Sequence, residues 1–256
     1  MELFKYDFFN IIKKKRFIVM IGLVLLGALG MTIYTKVKFW NDQTFFFAMY
    51  NYIFNVSSWV PVAAIIISIY QKKFTKNAIL LVEEHGKKRA SGVMSKFFAG
   101  ALTIICVNLI IMLWILLLGL CFGAHSTWEQ IWMLALRIGM DCVAGIACYS
   151  SALFLMFIFA FPVIPLLYLV FMVFVSVFFY YTRAYGVDGY VFAVFLDPKL
   201  TSDVTYTQLL FFDSELVLPI LFLIFTVIPL LLSIPVFCFK KKERKRKHFR
   251  KSESAE

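Results

Sequence analysis

Long apolar blocks constrain this chain more than any other feature. A hydrocarbon core about 30 Å thick is crossed by a helix of about 20 apolar residues. Because lipid offers the backbone no hydrogen-bond partner, each block of that length is predicted to be helical. Six such blocks occur in the sequence: Phe17–Tyr34, Phe45–Tyr70, Phe97–Gly123, Gln130–Pro162, Ile164–Tyr181 and Glu215–Phe239. The sequence therefore predicts an all-α membrane protein with six transmembrane helices.

Basic residues give the predicted orientation. Of the 26 Lys and Arg residues, five precede the first block, seven lie between the second and third, and nine follow the last. Cytoplasmic segments of membrane proteins are enriched in Lys and Arg, so both termini and the loop 71–96 are predicted to be cytoplasmic. Termini on one side require an even number of spans. The apolar run 130–182 would be about 80 Å long as one helix, and the two prolines at 161–165, Pro162 and Pro165, favour a break there.

One domain accounts for the whole chain, 1–256. It divides into a surface helix at 1–16, a six-helix bundle at 17–239 and a basic tail at 240–256. The tail is interpreted as a stop-transfer anchor that attracts anionic lipid headgroups. A nucleic-acid patch is the other interpretation of such a tail, but no basic fold with interleaved aromatic residues accompanies it.

An amphipathic segment precedes the first block. Its apolar residues recur at helical spacing and its polar residues fall between them: Phe4, Phe8, Ile11 and Ile12 against Glu2, Lys5, Asp7, Asn10 and Lys13. This pattern predicts a helix along the cytoplasmic surface, with Phe4 and Phe8 in the headgroup boundary. The alternative is that the segment is the membrane-proximal start of the first spanning helix.

Four polar residues inside the blocks are candidates for a substrate path: Asn55, Asn108, Arg137 and Asp141. Asn55 belongs to a polar stripe in the second block, which is expected to face the bundle. Arg137 and Asp141 are four residues apart and share one helix face, where two opposite charges compensate each other in lipid. The pair is interpreted as a substrate or gating contact or as a structural ion pair, unless Arg137 extends outward to the interface.

The loop 71–96 contains a short helix candidate. Asn77 is an N-cap residue by type, Ala78–His85 gives two helical turns, and Gly86 is a stop signal. Residues 79–82 are all apolar, so this helix is apolar on more than one face. Such a surface requires a protein partner or the bundle to cover it.

Together with the residues that follow it, this loop resembles that of the permease subunits of type-2 ABC exporters, in particular the small bacterial ones associated with peptide antibiotics. In that family the loop between helices 2 and 3 commonly ends in a glycine, followed three residues later by an arginine and then by a lysine at the start of helix 3. Gly86, Arg89 and Lys96 match this pattern. The sequence departs from the family at 72–73 and Ala78, where a glutamate and a small hydroxyl residue or glycine are usual.

The resemblance implies a multi-pass permease of the bacterial cell membrane, coupled through residues 77–86 to a separate cytoplasmic ATPase present in two copies. The implied coupling residues are Asn77, Leu80, Leu81, Glu83, Glu84, Gly86 and Arg89. ATP and Mg are expected in the ATPase, because a P-loop needs a glycine where Leu81 stands and a hydroxyl where Lys88 stands. This chain itself is predicted to hold no metal, cofactor or catalytic residue.

The resemblance also implies the other partners. A second permease half, identical or related, would complete the path, and membrane lipids would surround it. The implied cargo is an amphipathic or antimicrobial peptide or another hydrophobic substrate, moved outward for export or self-protection. Nucleic acid is not expected as a partner.

Two other function classes remain open from the residues. A secondary carrier or channel for a small solute would use polar residues near the membrane midplane, where few are found. An intramembrane enzyme is the second class, since Glu83 and Glu84 followed by Arg89 are similar to the paired-glutamate motif of the membrane-bound prenyl-protease-like family. That family's arginine falls one residue earlier, where Lys88 stands, and its histidine ligands lie in spans. None of the three histidines here lies in an apolar block: His85, His125 and His248.

Overall fold

The computed structural model describes residues 2–39, 45, 49, 59–69, 79, 82–83, 86, 88–125, 127–159, 163–171 and 224–238. All regular structure in these residues is helical, which confirms the all-α class. The helices are α1 (Glu2–Ile12), α2 (Lys15–Phe39), α3 (Val60–Ile69), α4 (Arg89–Phe122), α5 (Trp128–Phe159), α6 (163–171) and α7 (Ile224–Cys238).

Three of the described helices contain a stretch long and apolar enough to cross a membrane: Lys15–Val37, Arg89–Phe122 and Asp141–Phe159. These stretches indicate a membrane location. Helices α3 and α7 are shorter and lie within the second and sixth predicted blocks, and α6 begins one residue before the fifth. The predicted break at 161–165 lies partly outside the described residues, and a total of six spans stays a prediction.

Helix α4 begins earlier than the sequence predicted. The loop was expected to continue to Lys96, but the helix starts at Arg89, and Lys88 before it has an extended backbone. No proline interrupts this stretch, and its one glycine, Gly92, is covered by the side chain of Val82. At 34 residues α4 is about 51 Å long, so it extends well beyond a hydrocarbon core of about 30 Å. Its N-terminal turns lie beside α1 and the end of α7, and this end of the bundle is called the basic end below.

At the opposite end of the bundle, α2, α4 and α5 meet. Gly123 ends α4 with a left-handed backbone, φ 80°. The Lys36 ammonium of α2 donates to the Phe122 carbonyl at 2.7 Å, which satisfies one of the last carbonyls of α4. Helix α5 then begins with reciprocal hydrogen bonds between Thr127 and Gln130, a capping box that pairs two backbone N–H groups.

Helix α1 is separate from α2 and packs against the bundle. Its buried residues are Leu3, Asp7 and Ile11, whereas Phe4 and Phe8 are half-buried and stack with ring centroids 6.2 Å apart. The helical pattern placed Asp7 among the polar residues between the apolar positions. The structure instead buries Asp7 at the centre of the packed face, because α4 supplies partners for its carboxylate there.

Two serines of α5 bond to carbonyls beside a proline in α7. Pro229 has no N–H, so the Phe225 carbonyl lacks its usual donor four residues on. The Ser151 hydroxyl donates to Phe225 O at 3.3 Å, and the Ser150 hydroxyl donates to Thr226 O at 2.7 Å. Hydroxyl donors of this kind allow a proline inside an apolar helix, because lipid cannot pair the freed carbonyl.

Replacing both serines, Ser150→Ala with Ser151→Ala, is expected to lower the free energy of unfolding by about 1–2 kcal/mol, since two interhelical hydrogen bonds are lost. Thermal and denaturant unfolding in detergent micelles measures the loss. Ser91→Ala is the control, because Ser91 is exposed at the start of α4. An equal loss in Ser91→Ala, or no loss in the double variant, would contradict the role assigned to the two serines.

Candidate functional site

Four residues of the predicted short helix and its stop lie among the described residues. Ile79, Val82 and Glu83 are helical. Gly86 has φ 61°, and its N–H donates to Glu83 O at 3.0 Å. This left-handed conformation is tolerated best by glycine. Four of the implied coupling residues lie outside the described residues: Asn77, Leu80, Leu81 and Glu84.

One face of this segment is covered by the bundle itself. Val82 is fully buried, and its side chain occupies the space where a Cβ on Gly92 would lie. Ile79 is half-buried against the hydrophobic core. Val82 is therefore packed directly on the first turns of α4.

Arg89 joins three parts of the basic end. Its guanidinium forms an ion pair with Glu83, Nη2 to Oε1 2.9 Å, and Nη1 donates to the Cys238 carbonyl at 3.5 Å. Cys238 is the last described residue of α7. The Arg89 and Glu83 side chains are 18% and 41% exposed, so the pair contributes less than about 1 kcal/mol to stability. Its contribution is therefore mainly to position residues 79–86 relative to α4 and α7.

A buried ion pair fixes α1 to α4 two turns further on. Lys96 Nζ lies 2.8 Å from Asp7 Oδ1, and the side chains are only 11% and 5% exposed. The Ser95 hydroxyl donates to Asp7 Oδ2 at 2.7 Å, so both carboxylate oxygens are bonded. The fully buried Tyr149 of α5 donates its hydroxyl to the Lys96 carbonyl at 2.9 Å. Helices α1, α4 and α5 are thus joined by polar contacts at the basic end.

Sequence reasoning did not single out Asp7, Ser95 or Tyr149. Asp7 could have been found from the sequence, because it is an acidic residue in a mainly basic N-terminal segment. A basic partner such as Lys96 could then have been expected. Tyr149 gave no comparable signal, because a tyrosine in an apolar block is normally a packing residue and its acceptor here is a backbone carbonyl.

Two of the four substrate-path candidates lie at or beside a contact between α4 and α5. Asn108 is fully buried, and its Nδ2 donates to Cys142 Sγ at 3.3 Å. Asp141, the neighbour of Cys142 in α5, is 1% exposed. Asn108 lies about 20 Å from the end of α4 at Phe122, well inside a bilayer. The contact between α4 and α5 is therefore polar at this depth, whereas a role of Asn108 and Asp141 in a substrate path stays a prediction.

The amide of Asn108 is only partly satisfied: its Oδ1 has no hydrogen-bond partner in the structure as described. An unmet acceptor inside a membrane bundle is costly unless a ligand or a rearrangement pairs it. Arg137 lies in α5, but its side chain is outside the described part of the structure, as is Asn55. The predicted ion pair between Arg137 and Asp141 thus stays a prediction.

Metal coordination is not indicated in the part of the chain that the structure describes, where no group of three or more His, Cys, Asp or Glu side chains is suited to hold an ion. The candidate site consists instead of a helical segment packed on the basic end and a polar interface in the bundle.

Comparison of this chain with protein-family models, with curated proteins and with solved structures gave no match.

Proposed function

We propose that this protein is the permease subunit of an ATP-driven type-2 ABC exporter, coupled to a separate cytoplasmic ATPase present in two copies. One observation supports the proposal: each of the three residues of the family pattern makes a turn or an interhelical contact at the basic end. Gly86 ends the segment 79–86, Arg89 connects that segment to α4 and α7, and Lys96 connects α4 to α1.

In this proposal the segment 79–86 is the coupling helix, and its motion reaches four other helices. When two ATPases close on ATP, the coupling helix is displaced. Val82 packs on Gly92 and Arg89 contacts Cys238, so α4 and α7 move with it. The contacts at Lys96 extend the movement to α1 and α5. Because α4 is continuous over 34 residues, tilting its basic end displaces its opposite end as well.

The proposed path runs through the bundle and is completed by a second permease half, identical or related. Asn108 and Asp141 are the described candidates to contact cargo on this path. Both side chains carry acceptor oxygens, and the Asn108 Oδ1 has no described partner, so this part of the path suits N–H donors or cationic groups of a peptide. The proposed cargo is an amphipathic or antimicrobial peptide, moved out of the cell or the membrane, on the basis of the family resemblance.

A secondary carrier is the second candidate function, and the polar interface of Asn108 and Asp141 is the observation that favours it. Carriers place polar groups near the midplane and need no ATPase. Transport into vesicles that contain this protein alone separates the two functions. Uptake driven by an ion gradient and abolished by Asp141→Asn would favour the carrier, whereas strict dependence on added ATPase and ATP would favour the exporter.

Adding charge to the apolar face of the coupling helix is expected to remove the ATPase. The permease is co-expressed with the ABC ATPase encoded nearest to it, and the complex is purified through the permease. Leu80→Glu with Leu81→Glu should reduce the recovered ATPase about tenfold or more, because desolvating two carboxylates in an apolar interface costs well above 1.4 kcal/mol.

The matched control places the same two charges in the tail, Ser252→Glu with Ser254→Glu, and should keep full recovery. Circular dichroism of both variants checks that the helical content is unchanged. Equal ATPase recovery from the two variants, or none with the unmodified permease, would contradict the coupling helix.

A further inference from the structure

An open apolar groove of about 570 Å³ lies at the basic end between α1 and α4. Leu3 and Phe4 of α1 form one wall. The other wall is a single face of α4, which runs from Ser91 through Phe98 to Ile105. This face continues beyond the groove as exposed leucines, so the groove opens toward the lipid side of the bundle.

The groove has a fixed geometry. Ser95, which lines it, donates to Asp7, and Asp7 is paired with Lys96 in the buried contact described above. Helix α1 is therefore held across α4 at this point. The space between them follows from that crossing.

The dimensions and polarity of the groove suit one acyl chain. From Ser91 to Ile105 the helix rises about 21 Å, compared with about 15 Å for half of the hydrocarbon core. Ser91 makes one end polar, whereas Phe98, Leu102 and Ile105 make the rest apolar. A lipid acyl chain that enters at the headgroup level and follows α4 toward the midplane would match this change from polar to apolar lining.

The polar end of the groove is also positively charged. Lys88 is exposed and directly precedes α4. The helix has neither a side-chain cap nor an acidic residue in its first turn, so its first N–H groups and dipole add to the positive potential. The groove is thus apolar along most of its length, and its Ser91 end, called the mouth, is complementary to an anion.

We propose that this groove binds one anionic phospholipid from the leaflet at the basic end. Its acyl chain lies between α1 and α4, and its phosphate lies at the mouth, beside Lys88 and the first turn of α4. The proposal is independent of ATP coupling, since it rests on the α1–α4 crossing and the charge at the mouth.

Photo-crosslinking in vesicles tests the proposal. The full-length protein is reconstituted in phosphatidylcholine with a small fraction of phosphatidylglycerol that carries a diazirine in its acyl chain, and the labelled peptides are located by mass spectrometry. Labelling is expected to concentrate at 94–105 rather than at 109–120 of the same helix. Unlabelled phosphatidylglycerol should compete, and unlabelled phosphatidylcholine should not.

Variants separate the groove from ordinary lipid contact. Leu102→Trp, which fills the groove, should remove most labelling at 94–105, whereas Leu113→Trp on the same face outside the groove should not. Lys88→Glu, at an exposed position, should reduce the preference for phosphatidylglycerol about fivefold or more, the factor expected for one cation at an anionic surface.

Three results would overturn the proposal. Uniform labelling along α4 would show general lipid contact only. Equal competition by the two lipids would exclude recognition of the charged headgroup. Displacement of the label by a basic amphipathic peptide, but not by phosphatidylglycerol, would assign the groove to peptide instead of lipid.

Discussion

Replacing Asp7 by alanine is expected to lower the free energy of unfolding by about 3–5 kcal/mol, the range for removing one partner of a buried ion pair. Lys96 would be left as a largely buried cation without its carboxylate, and the Ser95 hydroxyl would lose its acceptor. Because this contact holds α1 on α4, the same variant should also increase proteolysis of the N-terminal segment. Denaturant unfolding in micelles, followed by tryptophan fluorescence, measures the stability change.

A double-mutant cycle distinguishes this ion pair from simple loss of packing. Lys96→Met should destabilise the protein by a similar amount. The double variant, Asp7→Ala with Lys96→Met, should lower the free energy of unfolding by far less than the sum of the two single decreases. Lys5→Ala, at an exposed position of α1, is the control and should change stability by less than about 0.5 kcal/mol. If Asp7→Ala lowered the free energy of unfolding no more than Lys5→Ala, the ion pair would not anchor α1.

The second large effect is expected at Gly100, where α4 and α5 approach closely. A Cβ at this position would overlap the ring of Tyr149. Tyr149 is fully buried and bonded to the Lys96 carbonyl, so it cannot move without breaking that hydrogen bond. Gly100→Ala should therefore destabilise the protein by about 1–3 kcal/mol, as overpacking does in other cores, and thermal unfolding in micelles measures it.

Gly22 in α2 provides the matched control, because a Cβ there would meet no atom within 4 Å. Gly22→Ala should be neutral or slightly stabilising, since alanine favours helix more than glycine does. Tyr149→Phe should cost about 1 kcal/mol for its lost hydrogen bond. Similar unfolding temperatures for Gly100→Ala and Gly22→Ala would contradict the close approach of α4 and α5.

The sequence predicted the helices better than their contacts. Apolar runs predicted helix within each block where the structure describes residues, because lipid requires backbone pairing within the segment. The left-handed backbone at Gly86 could be predicted for a similar reason, since local backbone conformation depends on residue type. The start of α4 was misplaced because the segment 87–96, in which four of the ten residues are basic, was interpreted as loop. Neither charge nor polarity ends a helix outside the bilayer.

Asp7 shows why the rest of the site could not be predicted. Its partner Ser95 is 88 positions away, and periodicity within one helix carries no information about such a pairing. By local pattern alone a carboxylate belongs on the polar face. The buried position becomes favourable only when a cation and a hydroxyl donor are supplied by another helix. Asn108 was predicted more easily, because any amide inside an apolar block must turn toward the bundle.

The most direct test of the coupling proposal is photo-crosslinking from position 83 in the assembled transporter. Glu83 lies in the segment 79–86 with a side chain 41% exposed, so a photoreactive amino acid there would reach a docked partner. The exposed Leu120, at the opposite end of α4, is the reference position. The proposal predicts an adduct between position 83 and the ABC ATPase whose yield changes with ATP, and none from position 120. An ATPase adduct absent at position 83, or equally abundant at both positions, would contradict it.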